Sequence, residues 1–183
     1  MIEIVNDEKH GTGPQTVNAW IERLVGIEWY KQTGQQQEAA LEKVNQLMSR
    51  LGVNDYEIQW LTKDEVPNAI QRLTFEGSQL WSMLEQLPDQ LKAKVQKFGN
   101  ESLLEKVVDV VPEAVFHRAF AGAFHTFGDE KTVQFLVGYA MYLSIMVCTA
   151  VLAEEMDLFL PMVELLEAGY LPLGPEANTF YLV

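Results

Sequence analysis

Basic residues are scarce in this sequence of 183 residues, which has 13 Lys and Arg against 26 Asp and Glu and a formal net charge of −13. Phosphate backbones repel a surface of that sign, so we expect no nucleic-acid binding. Cysteine occurs once, at Cys148, and therefore no internal disulfide can form. Because Cys148 lies in the most apolar part of the chain, we interpret it as a small buried hydrophobe and expect a reducing, cytoplasmic location.

The short motifs that mark common enzyme classes are also missing. The sequence contains no GxSxG elbow, no P-loop, no GxGxxG dinucleotide motif and no HExxH zinc motif, and no histidine is a plausible partner for Cys148. Residues 1–15 have no apolar core of the kind found in secretory signals, so export is not expected. The sequence thus indicates neither a catalytic activity nor a cofactor.

Apolar residues nevertheless make up 48% of the chain, and aromatic residues 10%. A chain of this composition buries enough apolar surface to fold despite its acidity. With no long linker and no internal repeat, the most economical organisation is one helical domain over residues 1–183.

Apolar residues recur at helical spacing along most of the chain. Pro88 and Pro112 should each end a helix, because proline lacks the backbone N–H and its ring clashes with the preceding turn. The first two helices should pack as an αα-hairpin, and Asp129 and Asn100 should cap the helices that follow them. The predicted helices cover about 14–33, 35–51, 62–75, 78–87, 89–98, 101–111, 113–127, 132–155 and 158–168.

Two segments at the ends of the chain alternate in the manner of strands. Residues 1–5 and 179–183 could pair as a minor β element, whereas residues 56–61 fit a strand or a helix equally well. The predicted fold class is therefore all-α, a single irregular multi-helix bundle around the buried apolar helix at about 132–155, with a minor β element from the terminal strands.

The central helix raises the question of a membrane. The stretch from Phe135 to Ala153 contains no charged residue and is long enough to span a bilayer. Its flanks are mainly acidic, so the Lys and Arg asymmetry that orients a membrane span is missing. We therefore favour a helix buried in the middle of a soluble bundle and expect no membrane partner.

The strongest metal candidate is the set Glu113, His117 and His125. Glu113 and His117 are four residues apart, so their side chains can share a divalent metal ion on one helical face, or form an acid–base pair. His125 lies eight residues beyond His117, which on an unbroken helix means about 12 Å of rise. That distance is too long for one ion, so a structural or surface role is favoured.

A row of aromatic residues offers a second candidate site. Phe116, Phe120 and Phe124 recur at helical spacing and could line a pocket for a flat or apolar ligand together with Tyr139 and Tyr142. Most such rows are packed into a hydrophobic core, and that is the favoured alternative here.

The acidic surface suggests a protein partner. Glu101, Glu105 and Asp109 form a negative ridge at helical spacing, which could attract a partner with a basic surface, although a solvated acidic face is the more common case. The function we expect is a non-enzymatic protein-interaction or regulatory module that self-associates into a homo-oligomer. The alternative is a helical protein that binds a small molecule or a metal in an aromatic pocket near His117.

Overall fold

The computed structural model describes residues 14–52, 56–73 and 79–183, which form seven helices and three strands. It confirms a mostly helical bundle with a minor β element. The predicted strand at residues 1–5 lies outside the described residues. The helices are α1 Pro14–Val25, α2 Glu38–Arg50, α3 Val66–Arg72, α4 Gln79–Lys97, α5 Glu101–Phe127, α6 Glu130–Leu152 and α7 Met156–Glu167. The strands are β1 Glu57–Trp60, β2 Pro172–Glu176 and β3 Thr179–Leu182.

The centre of the fold is the antiparallel pair of α5 and α6. Gly128 ends α5 in a left-handed conformation, and the Asp129 carboxylate then accepts a hydrogen bond of 2.8 Å from the Thr132 backbone N–H, which confirms Asp129 as the cap of α6. Small residues on both helices, among them Ala119 and Ala140, are fully buried and let the two backbones approach closely. Helices α1, α4 and α7 pack around this pair.

Helix α6 is the one helix among the described residues that is long and apolar enough to cross a membrane. In the fold, 67% of its most apolar window is buried against other parts of the chain. The buried core helix of a globular domain can be equally long and apolar, so length and composition alone do not make α6 a membrane span.

The two prolines do not end helices, and that prediction was wrong. Pro88 lies inside α4 and Pro112 inside α5, each half-buried. A proline removes a single helical hydrogen bond. In α5 the buried residues Val107, Val111 and Val115 continue in one row past Pro112, so packing against the bundle holds both halves of the helix together.

The predicted hairpin of the first two helices is also wrong. Helix α1 packs on α5 and α6, whereas α2 packs mainly on α7. The reason is the connection between them, which buries Trp29 and Tyr30 in the core and thereby carries the chain across the bundle before α2 begins.

Asn100 is the N-cap residue of α5, as predicted, but its side chain makes no capping hydrogen bond. Its Nδ2 instead donates a hydrogen bond of 3.2 Å to the Leu152 carbonyl, and the side chain is buried. This bond joins the beginning of α5 to the end of α6, where carbonyl groups lack helical partners.

The minor β element is a three-stranded sheet in the order β1-β3-β2. Strand β1 settles the ambiguous residues 56–61 as a strand and runs parallel to β3, and β2 forms an antiparallel hairpin with β3. Strand β2 was not predicted from the sequence, because it contains Pro172, Gly174 and Pro175. They are tolerated because β2 is an edge strand, where a missing N–H breaks few ladder bonds.

Candidate functional site

A row of exposed phenylalanines runs along α5. Phe116, Phe120 and Phe124 are 39%, 43% and 59% exposed, and Val108 extends the same row at 48%. Neighbouring rings stack, with centroids 5.7 and 5.8 Å apart and interplanar angles of 21° and 14°. We call Val108, Phe116, Phe120 and Phe124 the Phe row. Contiguous exposed apolar surface of this kind is typical of an interaction site.

The spacing of the apolar residues along α5 explains why these rings face solvent. Each member of the Phe row follows directly after a member of the buried row that includes Val107, Val115, Ala119 and Ala123. Residues four apart are neighbours on a helix, and each step of four turns about 40° further around the axis, so α5 carries two adjacent apolar rows that wind slowly around it. One row packs into the bundle, and the other has no counterpart on the described part of the fold.

Polar residues form the next row around α5. We call it the charged row, and all its members are exposed. The residues at the beginning of this row are acidic, and those at its end are histidines. The members are Glu101, Glu105, Asp109, Glu113, His117 and His125. The structure thus places the predicted acidic ridge in solvent, beside the Phe row.

The metal candidates Glu113, His117 and His125 lie in this row. In the described ranges, no three His, Cys, Asp or Glu side chains come close enough together to hold a metal ion. The His117 ring instead meets the Phe116 ring edge-on, with centroids 5.5 Å apart. The geometry therefore places these three residues on a surface beside an apolar row.

The residues predicted to line one aromatic pocket lie in two separate places in the structure. Tyr139 and Tyr142 line a cavity of about 320 Å³, whereas Phe116, Phe120 and Phe124 are not among its lining residues. The rings of Phe135, Tyr139 and Tyr142 stack along one wall, with successive centroids 6.0 and 6.3 Å apart. The described residues around the cavity are Leu73, Glu85, Leu87, Phe135, Tyr139, Tyr142, Leu143, Met146, Phe159, Met162 and Leu173.

Burial keeps the tyrosines of this cavity neutral. It raises the pKa of the Tyr139 phenol above its usual range, with the neighbouring Tyr142 as a smaller cause, and it also raises the pKa of Tyr142. Leu73, Phe159, Met162 and Leu173 were missed by the sequence analysis. They come from three separate places in the chain, and no local pattern marks these places as neighbours.

No known family matches this chain. Comparison with protein families, with curated proteins and with solved structures finds no similar protein. What the protein does must therefore be argued from its own surface and cavity.

Cys148 is fully buried in α6, and burial raises the pKa of its thiol to about 12. Since the thiolate is the reactive form, we expect iodoacetamide to leave the native protein unmodified at pH 8 and to modify the protein unfolded in urea. The raised pKa also contributes stability that is complete below the unfolded value of about 8.5 and is lost as the pH rises toward the folded value. Fast modification of the native protein, followed by mass spectrometry, would contradict this burial.

Proposed function

We propose that this chain is a protein-interaction module that self-associates, and that two copies pair antiparallel through the Phe row of α5. The observation that carries the proposal is the line of three stacked, exposed phenylalanines on one helix. Exposed aromatic rings lose unfavourable contact with water when a second apolar surface covers them. Aromatic residues are accordingly enriched in interface cores.

The spacing of the Phe row supports a second copy as the occupant. The row extends from Val108 to Phe124, about 24 Å along the helix, and Phe116 lies at its midpoint. A two-fold axis at Phe116 would pair this ring with its own copy and place the Phe120 rings of the two copies about 6 Å to either side of it along the helix. A two-fold interface requires such a self-complementary surface.

The charged row supports the antiparallel direction. With the axis at Phe116, Glu113 lies within two residues, or about 3 Å along the helix, of the level of the partner's His117. A carboxylate accepts a hydrogen bond from an imidazole N–H, and the attraction grows when the imidazole is protonated. In a parallel arrangement the two-fold axis would run along the helices and place the two charged rows on opposite sides of the interface, so Glu113 and the partner's His117 would not meet.

The size of the surface indicates a modest affinity. Three phenylalanines at these exposures offer roughly 300 Å² per copy, taking about 200 Å² for a whole side chain. A standard interface buries about 800 Å² per partner, so neighbouring residues must contribute and the dimer should be weak. The net charge of −13 on each copy also opposes association. We therefore expect a dissociation constant in the micromolar range.

Sedimentation velocity over a concentration series at 0.15 M salt tests the proposal. Phe120→Asp should make the protein monomeric at concentrations where the unmodified chain is dimeric, because it places a charge in the middle of the apolar row. Phe98→Asp is the matched control, since Phe98 is similarly exposed at 37% but lies after α4 and outside the Phe row. This control should dimerise normally.

A charge exchange tests the direction of pairing. Glu113→Lys should weaken the dimer about tenfold, because the introduced ammonium group would face the partner's His117, and adding His117→Glu should restore it. An unchanged dissociation constant for Glu113→Lys would indicate that the two charged rows do not meet, as in parallel pairing. A chain that stays monomeric at several hundred micromolar, or a Phe120→Asp variant that dimerises like the unmodified chain, overturns the proposal. Binding of a Lys- and Arg-rich helical peptide to such a monomer would favour a basic partner instead.

A further inference from the structure

The cavity beside α6 is independent of the Phe row and has the character of a ligand site. Its walls come from α4, α6, α7, β2 and the end of α3, and its volume of about 320 Å³ lies within the range of small-molecule pockets. Most of the lining residues are aliphatic, aromatic or Met side chains. Apolar cavities take up small apolar molecules.

The volume limits the size of the ligand. A water molecule has a share of about 30 Å³ in the liquid, and a methylene group needs a similar space, so the cavity holds roughly ten non-hydrogen atoms. A smaller chamber of about 60 Å³ adjoins it and shares Leu87, Tyr139, Leu143, Phe159 and Met162 as lining residues. This chamber continues toward Leu47, Leu51 and Phe180. Two adjoining chambers suit a chain that extends from one into the other better than a compact ring system.

The charges around the cavity limit the chemistry of the ligand. Among the described lining residues, Glu85 is the one charged side chain, and no Lys, Arg or His is present to pair with an anion. Glu85 and Tyr142 are both exposed and therefore lie at the opening. A carboxylate head group would meet the Glu85 carboxylate, whereas a hydroxyl group can donate to Glu85 and accept from the Tyr142 phenol.

We propose that this cavity binds an uncharged aliphatic molecule of about ten carbons with a hydroxyl head group. The chain lies against the stacked wall of Phe135 and Tyr139, with its end toward the smaller chamber, and the hydroxyl lies at the opening between Glu85 and Tyr142. This binding does not depend on dimer formation through the Phe row.

Isothermal titration with three probes of equal chain length tests the proposal. The probes are 1-decanol, decanoate and decyltrimethylammonium. We expect 1-decanol to bind with a stoichiometry of one per chain, at least tenfold more tightly than decanoate, which Glu85 repels, and more tightly than decyltrimethylammonium, which Glu85 attracts but which cannot donate a hydrogen bond to it. Tighter binding of decanoate or of decyltrimethylammonium would overturn the assignment of a neutral ligand, and no binding of any probe would overturn the site itself.

Three variants locate the binding. Met146→Trp should fill the cavity and weaken 1-decanol binding at least tenfold, while Met141→Trp, also on α6 but outside the lining, should bind normally. Glu85→Lys should raise the affinity for decanoate at least tenfold, because it replaces a repelling charge with an attracting one. Circular dichroism checks that each variant is folded.

The outcomes separate this proposal from the dimer. The Phe120→Asp variant should bind 1-decanol as the unmodified chain does, even when it is monomeric. If Met146→Trp folds and binds 1-decanol unchanged, the cavity is not the site. If Glu85→Lys leaves decanoate binding unchanged, the head group does not lie at this opening.

Discussion

Replacing Gly122 with alanine should lower the free energy of unfolding by about 2 kcal/mol, although alanine is the better helix former by about 1 kcal/mol. A Cβ atom at this position would lie 2.6 Å from the Trp29 carbonyl oxygen and 3.4 Å from its carbon. Both are backbone atoms of a residue whose side chain is buried. The connection between α1 and α2, or α5 itself, would have to shift, and the contacts of both would weaken.

Gly138→Ala is the matched control for this prediction. Gly138 also lies in a helix, but it is exposed and a Cβ atom there would meet nothing within 4 Å. Alanine should therefore stabilise the protein by about 1 kcal/mol through helix propensity alone. Urea unfolding of both variants measures the difference. Equal stabilisation by the two substitutions would mean that the connection does not approach α5 closely.

Tyr30→Ala should cost about 3 to 5 kcal/mol, the range for removing a large buried aromatic side chain. The Tyr30 ring is buried and meets the Phe127 ring edge-on, with centroids 5.7 Å apart. Its hydroxyl donates a hydrogen bond of 2.7 Å to the Leu136 carbonyl of α6. Tyr30 also has a φ of 64°, a conformation that costs a residue with a side chain about 1 kcal/mol or more. The burial of the ring offsets this cost.

Two further substitutions at Tyr30 separate these contributions. Tyr30→Phe keeps the ring and loses only the hydrogen bond, so it should cost about 1 to 2 kcal/mol. Tyr30→Gly should be no worse than Tyr30→Ala, because glycine adopts a positive φ without strain. If Tyr30→Phe were as destabilising as Tyr30→Ala in urea unfolding, the hydrogen bond rather than ring packing would hold this connection to α6.

Local patterns predicted much of the helical structure. The apolar spacing of α2 and α6, and the position of Asp129 before Thr132, depend on residues within two turns of one another, so they can be read from the sequence. Pro88 and Pro112 were misjudged because intrinsic propensity is a weak guide where packing continues across a proline. Strand β2 was missed because its Pro and Gly residues are poor strand formers, and only an edge position makes them acceptable.

For the candidate sites, too, local spacing predicted part of the arrangement and tertiary packing decided the rest. The spacing of Phe116, Phe120 and Phe124 predicts one row on a helix, but it does not show whether that row packs against the bundle or faces solvent. Tyr139 and Tyr142 were grouped with this row because all five residues are aromatic. The structure separates them, since α5 buries Val107, Val115 and Ala119 in the bundle and leaves the phenylalanines exposed.

The sequence by itself determined that this chain is acidic, that it folds mostly into helices, and that its most apolar helix is a central one. These properties follow from composition and from spacing within single helices. Only the tertiary structure decided that the phenylalanines of α5 are exposed, that a cavity opens beside Tyr139, and that β3 pairs with β1. Each of these depends on which surfaces meet, and contacts between residues far apart in the chain leave no local periodic pattern in the sequence.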